Sequence, residues 1–194
     1  CAWSNPLARI SASAPSTGRN HFRTGRRARA NQSDTVGTSR SAATMIETLS
    51  AQYPSRVPGS EGAAEAALWY RETVSALGLS TEEDVWNEEL ADLGTVELRN
   101  VVTVVPGRSE ETIVVVAHRD NAGTDETLGD NASGTAALIE LARSFAPQEA
   151  GPDPQPQRTL VLVSTDAGSY GGAGAARFAA TSPLPDSAIA VVVL

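Results

Sequence analysis

Lysine is missing from this chain: all fifteen basic residues are arginine, set against twenty-three acids for a formal net charge of −8. An acidic body repels phosphate backbones, which excludes nucleic acid as the expected partner. Without lysine, Gly171-Gly172-Ala173-Gly174 cannot complete a phosphate-binding loop, and these small residues read instead as close helix packing. Cysteine is nearly missing too. The single Cys1 forms no intramolecular disulfide, so cysteine pairing says nothing of the compartment. Long apolar runs are also lacking, because the longest, residues 113–117 and 189–194, are strand-sized. A membrane-crossing helix needs roughly 18 to 20 such residues. No signal-peptide pattern is present. Histidine is scarce, with only His21 and His118.

What charge there is lies unevenly. Residues 1–43 hold seven arginines (9, 19, 23, 26, 27, 29 and 40) against one acid, Asp34. Residues 1–40 mix Ser, Thr, Asn, Gly and Arg with almost no apolar periodicity, and the expectation is a disordered Arg-rich arm. Residues 41–194 are expected to fold as one domain. The chain begins at Cys and stops within the apolar run 188–194, so both ends read as cut from a longer protein. A membrane attachment through the missing sequence would suit the arginine arm, and an exported or membrane-associated location is favoured.

Within 41–194, Thr44 to Glu47 reads as a capping box that opens a short helix with Met45, Ile46 and Leu49 on its apolar face. Residues 54–60 break it. A second helix is predicted over 61–77, with Leu68, Trp69 and Val74 inward and Gly78 as its stop. Residues 95–105 and 112–117 read as strands joined in a hairpin through Pro106-Gly107. Then come an amphipathic helix over 132–145, a Pro-rich linker over 147–157, a strand at 159–165, a helix at 171–181 and a strand at 187–194. This order indicates an α/β domain of three layers, a mixed central sheet flanked by helices. In such sheets ligands bind at the carboxyl ends of the strands.

His118 and Asp120 stand two apart at the end of an apolar strand, and a carboxylate there can take one ring N–H and leave the other nitrogen for a metal. Asp130 precedes a helix, where it can cap the first turn and also project toward the strand ends. Each feature alone is most often structural. Together, the strand, His118-Arg119-Asp120, an acidic loop and Asp130-Asn131-Ala132-Ser133-Gly134 resemble the co-catalytic zinc aminopeptidase family, which includes glutamate carboxypeptidase-like proteins, glutaminyl cyclases and the transferrin-receptor ectodomain. The likeness spans about residues 44–194 and takes in Arg56-Val57-Pro58-Gly59-Ser60, Arg99-Asn100-Val101 and Pro106-Gly107. It implies a truncated zinc-exopeptidase-like fold in which His118 binds one zinc, Asp130 bridges two, and Asp120 orients the histidine.

The resemblance also implies two adjacent glutamates after the strand 160–166, a general base followed by a second zinc ligand. Here those positions are Gly168 and Ser169. Glycine has no side-chain proton acceptor, and zinc prefers His, Cys and carboxylates over a hydroxyl. Loss of the base alone removes roughly 10²- to 10⁴-fold in rate. The expectation is a catalytically degenerate metallopeptidase-family domain holding at most one weakly bound zinc and taking a peptide or protein ligand. Asp166 is the one nearby carboxylate that could act as a substitute base. Arg119 replaces a residue that is commonly aromatic in the family, and could pair with Asp125, Asp130 or another loop acid; alternatively it points away from His118 into solvent.

Two alternatives stand beside that reading. One is an active zinc-dependent aminopeptidase with an altered site. The other is a serine hydrolase using Ser169, since Ala167-Gly168-Ser169-Tyr170-Gly171 follows a strand as a nucleophile elbow would, although both histidines precede the serine. A calcium loop at Asp120, Asp125, Glu126 and Asp130 fails because Ala122 and Asp125 break its pattern.

Overall fold

A computed structural model describes residues 32–123, 132–147, 154–182 and 187–194. The elements run α1 Gln32–Gln52, α2 Glu61–Ser75, β1 Thr81–Leu90, β2 Gly94–Val105, β3 Thr112–His118, α3 Ala132–Ser144, β4 Thr159–Thr165, α4 Ala173–Thr181 and β5 Ala188–Val193. The five strands form one mixed sheet in the order β1-β2-β4-β3-β5. This is the α/β architecture expected from the element pattern.

The centre of the sheet is β3 and β4, two Val-rich runs buried along nearly their whole length and paired in parallel, His118 opposite Thr165. Strands covered on both faces read as continuous apolar runs for this reason. Side-chain alternation then divides the core. Val101 and Val105 of β2, Val115 and Ala117 of β3 and Leu162 of β4 pack with Tyr70 and Val74 of α2 and Leu138 and Ile139 of α3. On the other face Val102, Val114, Val116, Val161 and Val163 pack with Phe178 of α4.

Three expectations change. The strands 95–105 and 112–117 are not a hairpin: β4 lies between them, antiparallel to β2 and parallel to β3. The chain turns at Gly107 against β4 instead, with the Gly107 amide on Thr159 Oγ1 at 3.1 Å and no room for a side chain, since a Cβ would lie 2.2 Å from the Arg158 carbonyl carbon. The hairpin partner of β2 is β1, whose acid-rich sequence lacks a strand-like apolar pattern but suits a sheet edge. Finally, α1 begins at Gln32, so Thr44 lies inside the helix rather than at its start; its hydroxyl donates back to the Arg40 carbonyl at 3.1 Å.

Helix α2 opens as its sequence predicts, with Ser60 Oγ accepting from the Ala63 amide. Its inward face is built of Ala63, Ala66, Ala67, Tyr70 and Val74, while Leu68 is 38% exposed and faces out. Small residues let the helix approach the sheet closely. No helix among the described residues is long and apolar enough to cross a membrane.

Candidate functional site

The carboxyl ends of β3 and β4 lie side by side, and parallel pairing brings the segment after His118 against the segment after Thr165. Asp120 is the link between them. Its Oδ1 lies 3.2 Å from His118 Nδ1 and accepts from the Gly168 amide at 2.7 Å, while Oδ2 accepts from the Ser169 amide at 2.9 Å. Burial works against the charged carboxylate. The His118 contact and the two amides outweigh it, and hold the Asp120 carboxyl below the usual aspartate value.

Gly168 lies directly against the histidine. A Cβ at this position would fall 2.2 Å from His118 Cγ, 2.3 Å from Nδ1 and 2.4 Å from Cβ. The last of these is fixed by the strand rather than by a rotamer. The loop also carries a strained residue, because Ala167, fully buried beneath Leu90 and Leu98, has φ +54°. Three amides, those of Tyr170, Gly172 and Ala173, converge on its carbonyl. Ser169 is exposed, and the strained position is Ala167 rather than the serine, unlike an elbow that presents its nucleophile from the strained residue itself.

Arg119 leaves the strand on the opposite face from His118, as alternation predicts, yet it is 1% exposed rather than solvated. Its Nη1 donates to the Ser164 carbonyl at 3.0 Å and to Ser164 Oγ at 3.2 Å; Nη2 donates to the Arg99 carbonyl and to Asp166 Oδ2 at 3.3 Å. The acid it meets is thus Asp166. That carboxylate also accepts from the amides of Ala167 at 2.9 Å and Arg99 at 3.2 Å. Burial raises the Asp166 pKa, the Asp120 charge adds to this, and Arg119 and the amides only partly oppose it. A side chain so enclosed cannot reach substrate as a substitute base.

Three further buried residues hold the site and escaped prediction from sequence. Asn100 accepts from the Asp166 amide at 3.1 Å and donates to the Gly174 carbonyl at 2.9 Å, fastening the loop to the start of α4. Arg56, fully buried, donates through Nε to the Arg119 carbonyl at 2.7 Å and through Nη1 to the Tyr53 carbonyl at 2.7 Å. Asn121 accepts from the Arg56 amide at 2.8 Å and donates to the Pro54 carbonyl at 2.9 Å. The segment between α1 and α2 is therefore tied to the residues after β3. In sequence Arg56 and Asn100 stand out only as parts of the segments that carry the family resemblance and Asn121 not at all, and none is distinguishable there from a solvated polar residue.

Asp130, Asp125 and Glu126 lie outside the described residues. Among the described residues no group of three or more His, Cys, Asp or Glu side chains could hold a metal ion. The chemistry available there is one imidazole, with Asp120 committed to two amides and Gly168 without a side chain. These residues by themselves do not fit a two-metal centre.

Comparison with known proteins agrees with this geometry at the level of family and fold. Residues 100–194 match the family model "Peptidase family M28". A "Probable glutamate carboxypeptidase" of Arthroderma benhamiae is 33% identical over 76 residues, 39% of this chain and 10% of that protein. Among solved structures, a glutaminyl cyclase of Porphyromonas gingivalis superposes with a TM-score of 0.66 at 21% identity, covering 80% of this chain and 58% of that one. A Zn-dependent exopeptidase of Parabacteroides distasonis gives 0.64 at 18% identity over 80% and 60%. For a glutaminyl cyclase of an Acidobacteriales bacterium the values are 0.66, 22%, 91% and 62%. The chain thus spans a tenth of the curated relative and about three fifths of these solved chains. The match over residues 100–194, the glutamate carboxypeptidase relative and the mixed five-stranded α/β fold shared with the zinc-dependent exopeptidase together support a co-catalytic zinc peptidase-like family member.

Proposed function

We propose that this domain is a catalytically degenerate member of its family, with a role in binding or assembly through a peptide or protein ligand. The observation that carries this reading is the contact of Gly168 with His118. The position where the family resemblance calls for a general base has no side chain, and the adjacent strand leaves no space for one, the nearest atoms being 2.2 to 2.4 Å from where a Cβ would lie. Asp120 supports it further, because both carboxylate oxygens are engaged by the Gly168 and Ser169 amides. Asp166, the acid at the end of β4, is held beneath the sheet end by Arg119.

Zinc would be held here at most through His118 and Asp130, weakly, with Asp120 fixing the ring. Peptide-amide hydrolysis by the full-length protein, assayed with and without added zinc, tests the reading. No turnover above background is expected in either condition. Chelator-sensitive turnover that is abolished by His118→Ala or Asp130→Ala would establish the alternative, an active aminopeptidase with an altered site.

A further inference from the structure

A charged cluster lies where α4 meets the edge strand β1, with β2 and β4 between it and β3. Arg177 of α4 donates through Nε to Asp84 Oδ2 at 3.0 Å and through Nη2 to Asp84 Oδ1 at 3.1 Å. This is the two-pronged geometry in which a guanidinium holds a carboxylate most firmly. The same guanidinium lies over the Trp86 ring, 5.4 Å from its centroid. Asp84 and Trp86 stand two apart on one face of β1, so a single arginine covers both. Trp86 in turn packs against Leu90, Leu98 and Ala167, the small apolar cluster under the loop that carries Gly168 and Ser169.

That loop and the first turn of α4 are bound into one body. The amides of Tyr170, Gly172 and Ala173 meet the Ala167 carbonyl, and the Gly174 amide donates to the Asp166 carbonyl at 3.1 Å. A Cβ on Gly174 would lie only 2.3 Å from that carbonyl oxygen. A displacement of α4 therefore carries Gly168 and Ser169 with it. Phe178 fixes the helix over the centre of the sheet, and Arg177 fixes it to the edge. Ion pairs between two solvated side chains contribute little, but the Asp84 side chain is 7% exposed and the contact is bidentate. We infer that the Asp84–Arg177 pair, seated on Trp86, is an electrostatic latch that fixes α4 and thereby holds the loop of Gly168 and Ser169 against His118 and Asp120. Arg177 is a positioning residue, acting through the helix. Its side chain is 36% exposed, so salt reaches the latch from that side.

Amide exchange in the full-length protein tests the latch. Arg177→Met keeps an apolar stem over Trp86 and removes the charge, and Arg177→Met/Asp84→Asn leaves no carboxylate stranded. In both, exchange at the Gly168 and Ser169 amides is expected to quicken by about fivefold or more, while amides in the middle of β3 and β4 keep their wild-type protection. Raising salt to about 1 M is expected to quicken the same two amides in the wild type and not in the double variant. Unchanged exchange at Gly168 and Ser169 in the double variant overturns the proposal, and so does a quickening shared equally by the central strands. A salt effect that is absent from the wild type, or equal in the two proteins, overturns it as well.

Discussion

His118 and Gly168 share a contact that only glycine permits: a Cβ on residue 168 would lie 2.4 Å from the Cβ of His118. Neither β3 nor the loop can yield by a side-chain rotation, since the clash is with the first carbon of the histidine. Gly168→Ala therefore requires a shift of backbone, and is expected to destabilise the domain by about 1 to 3 kcal/mol, as overpacking does elsewhere. Urea unfolding measures it. Placing a carboxylate at both positions in Gly168→Glu/Ser169→Glu is expected to lower stability without producing hydrolysis, and zinc-dependent turnover in that variant would show that the loop can reopen.

Asp120 holds the loop from the other side. An asparagine in its place presents an NH2 to one of the two amides, so Asp120→Asn leaves a buried N–H facing a donor. The expected loss is about 2 kcal/mol, in the range for a buried group deprived of its partner. Amide exchange at Gly168 and Ser169 should quicken in the same variant. Unchanged protection of those two amides would mean that the carboxylate is not what anchors them.

Arg119 is a buried cation with one carboxylate partner and four backbone or hydroxyl acceptors, the carbonyls of Ser164, Thr165 and Arg99 and the Ser164 hydroxyl. Arg119→Ala removes a large, fully enclosed side chain and strands Asp166 without its counter-charge. Breaking one partner out of such a pair typically costs about 3 to 5 kcal/mol. A loss below about 1 kcal/mol in chemical denaturation would place the guanidinium in solvent instead.

The Asp166 pair carries a pH signature. Burial first, and then the neighbouring Asp120 charge, raise the folded-state pKa of Asp166, so the folded protein keeps its proton to higher pH than the unfolded chain does. That contribution to stability is full below the unfolded pKa and is lost as pH rises through the raised folded value. Asp166→Asn lacks it. The variant should be the less stable of the two, and the gap between wild type and variant should narrow as pH rises through that window, as followed by denaturant unfolding from acid to neutral pH. A gap that widens with rising pH would mean that the Arg119 charge dominates over burial.

The site and its surroundings differ in how far they can be read from sequence. His118-Arg119-Asp120 at the end of a Val-rich strand, Asp130 before a helix, and the glycine and serine at 168 and 169 are visible as spacing and residue type. Strand β1 is not, because Thr81–Leu90 is rich in acids and edge strands need no apolar alternation. The placement of β4 between β2 and β3 is equally hidden. Periodicity tells which face of a strand is buried, and leaves its neighbour unspecified.

By itself the sequence determined the α/β class, the family resemblance and the presence of glycine and serine at 168 and 169, since these follow from local periodicity and from the identity of residues near one another in the chain. Only the tertiary structure decided that Arg119 is buried on Asp166, that Asn100 and Arg56 staple the loops, and that Gly168 is pressed against His118. Each of these joins segments at least twenty residues apart. Such contacts depend on which strands pair and how closely, and a buried arginine or a space-limited glycine looks the same in sequence as an exposed one.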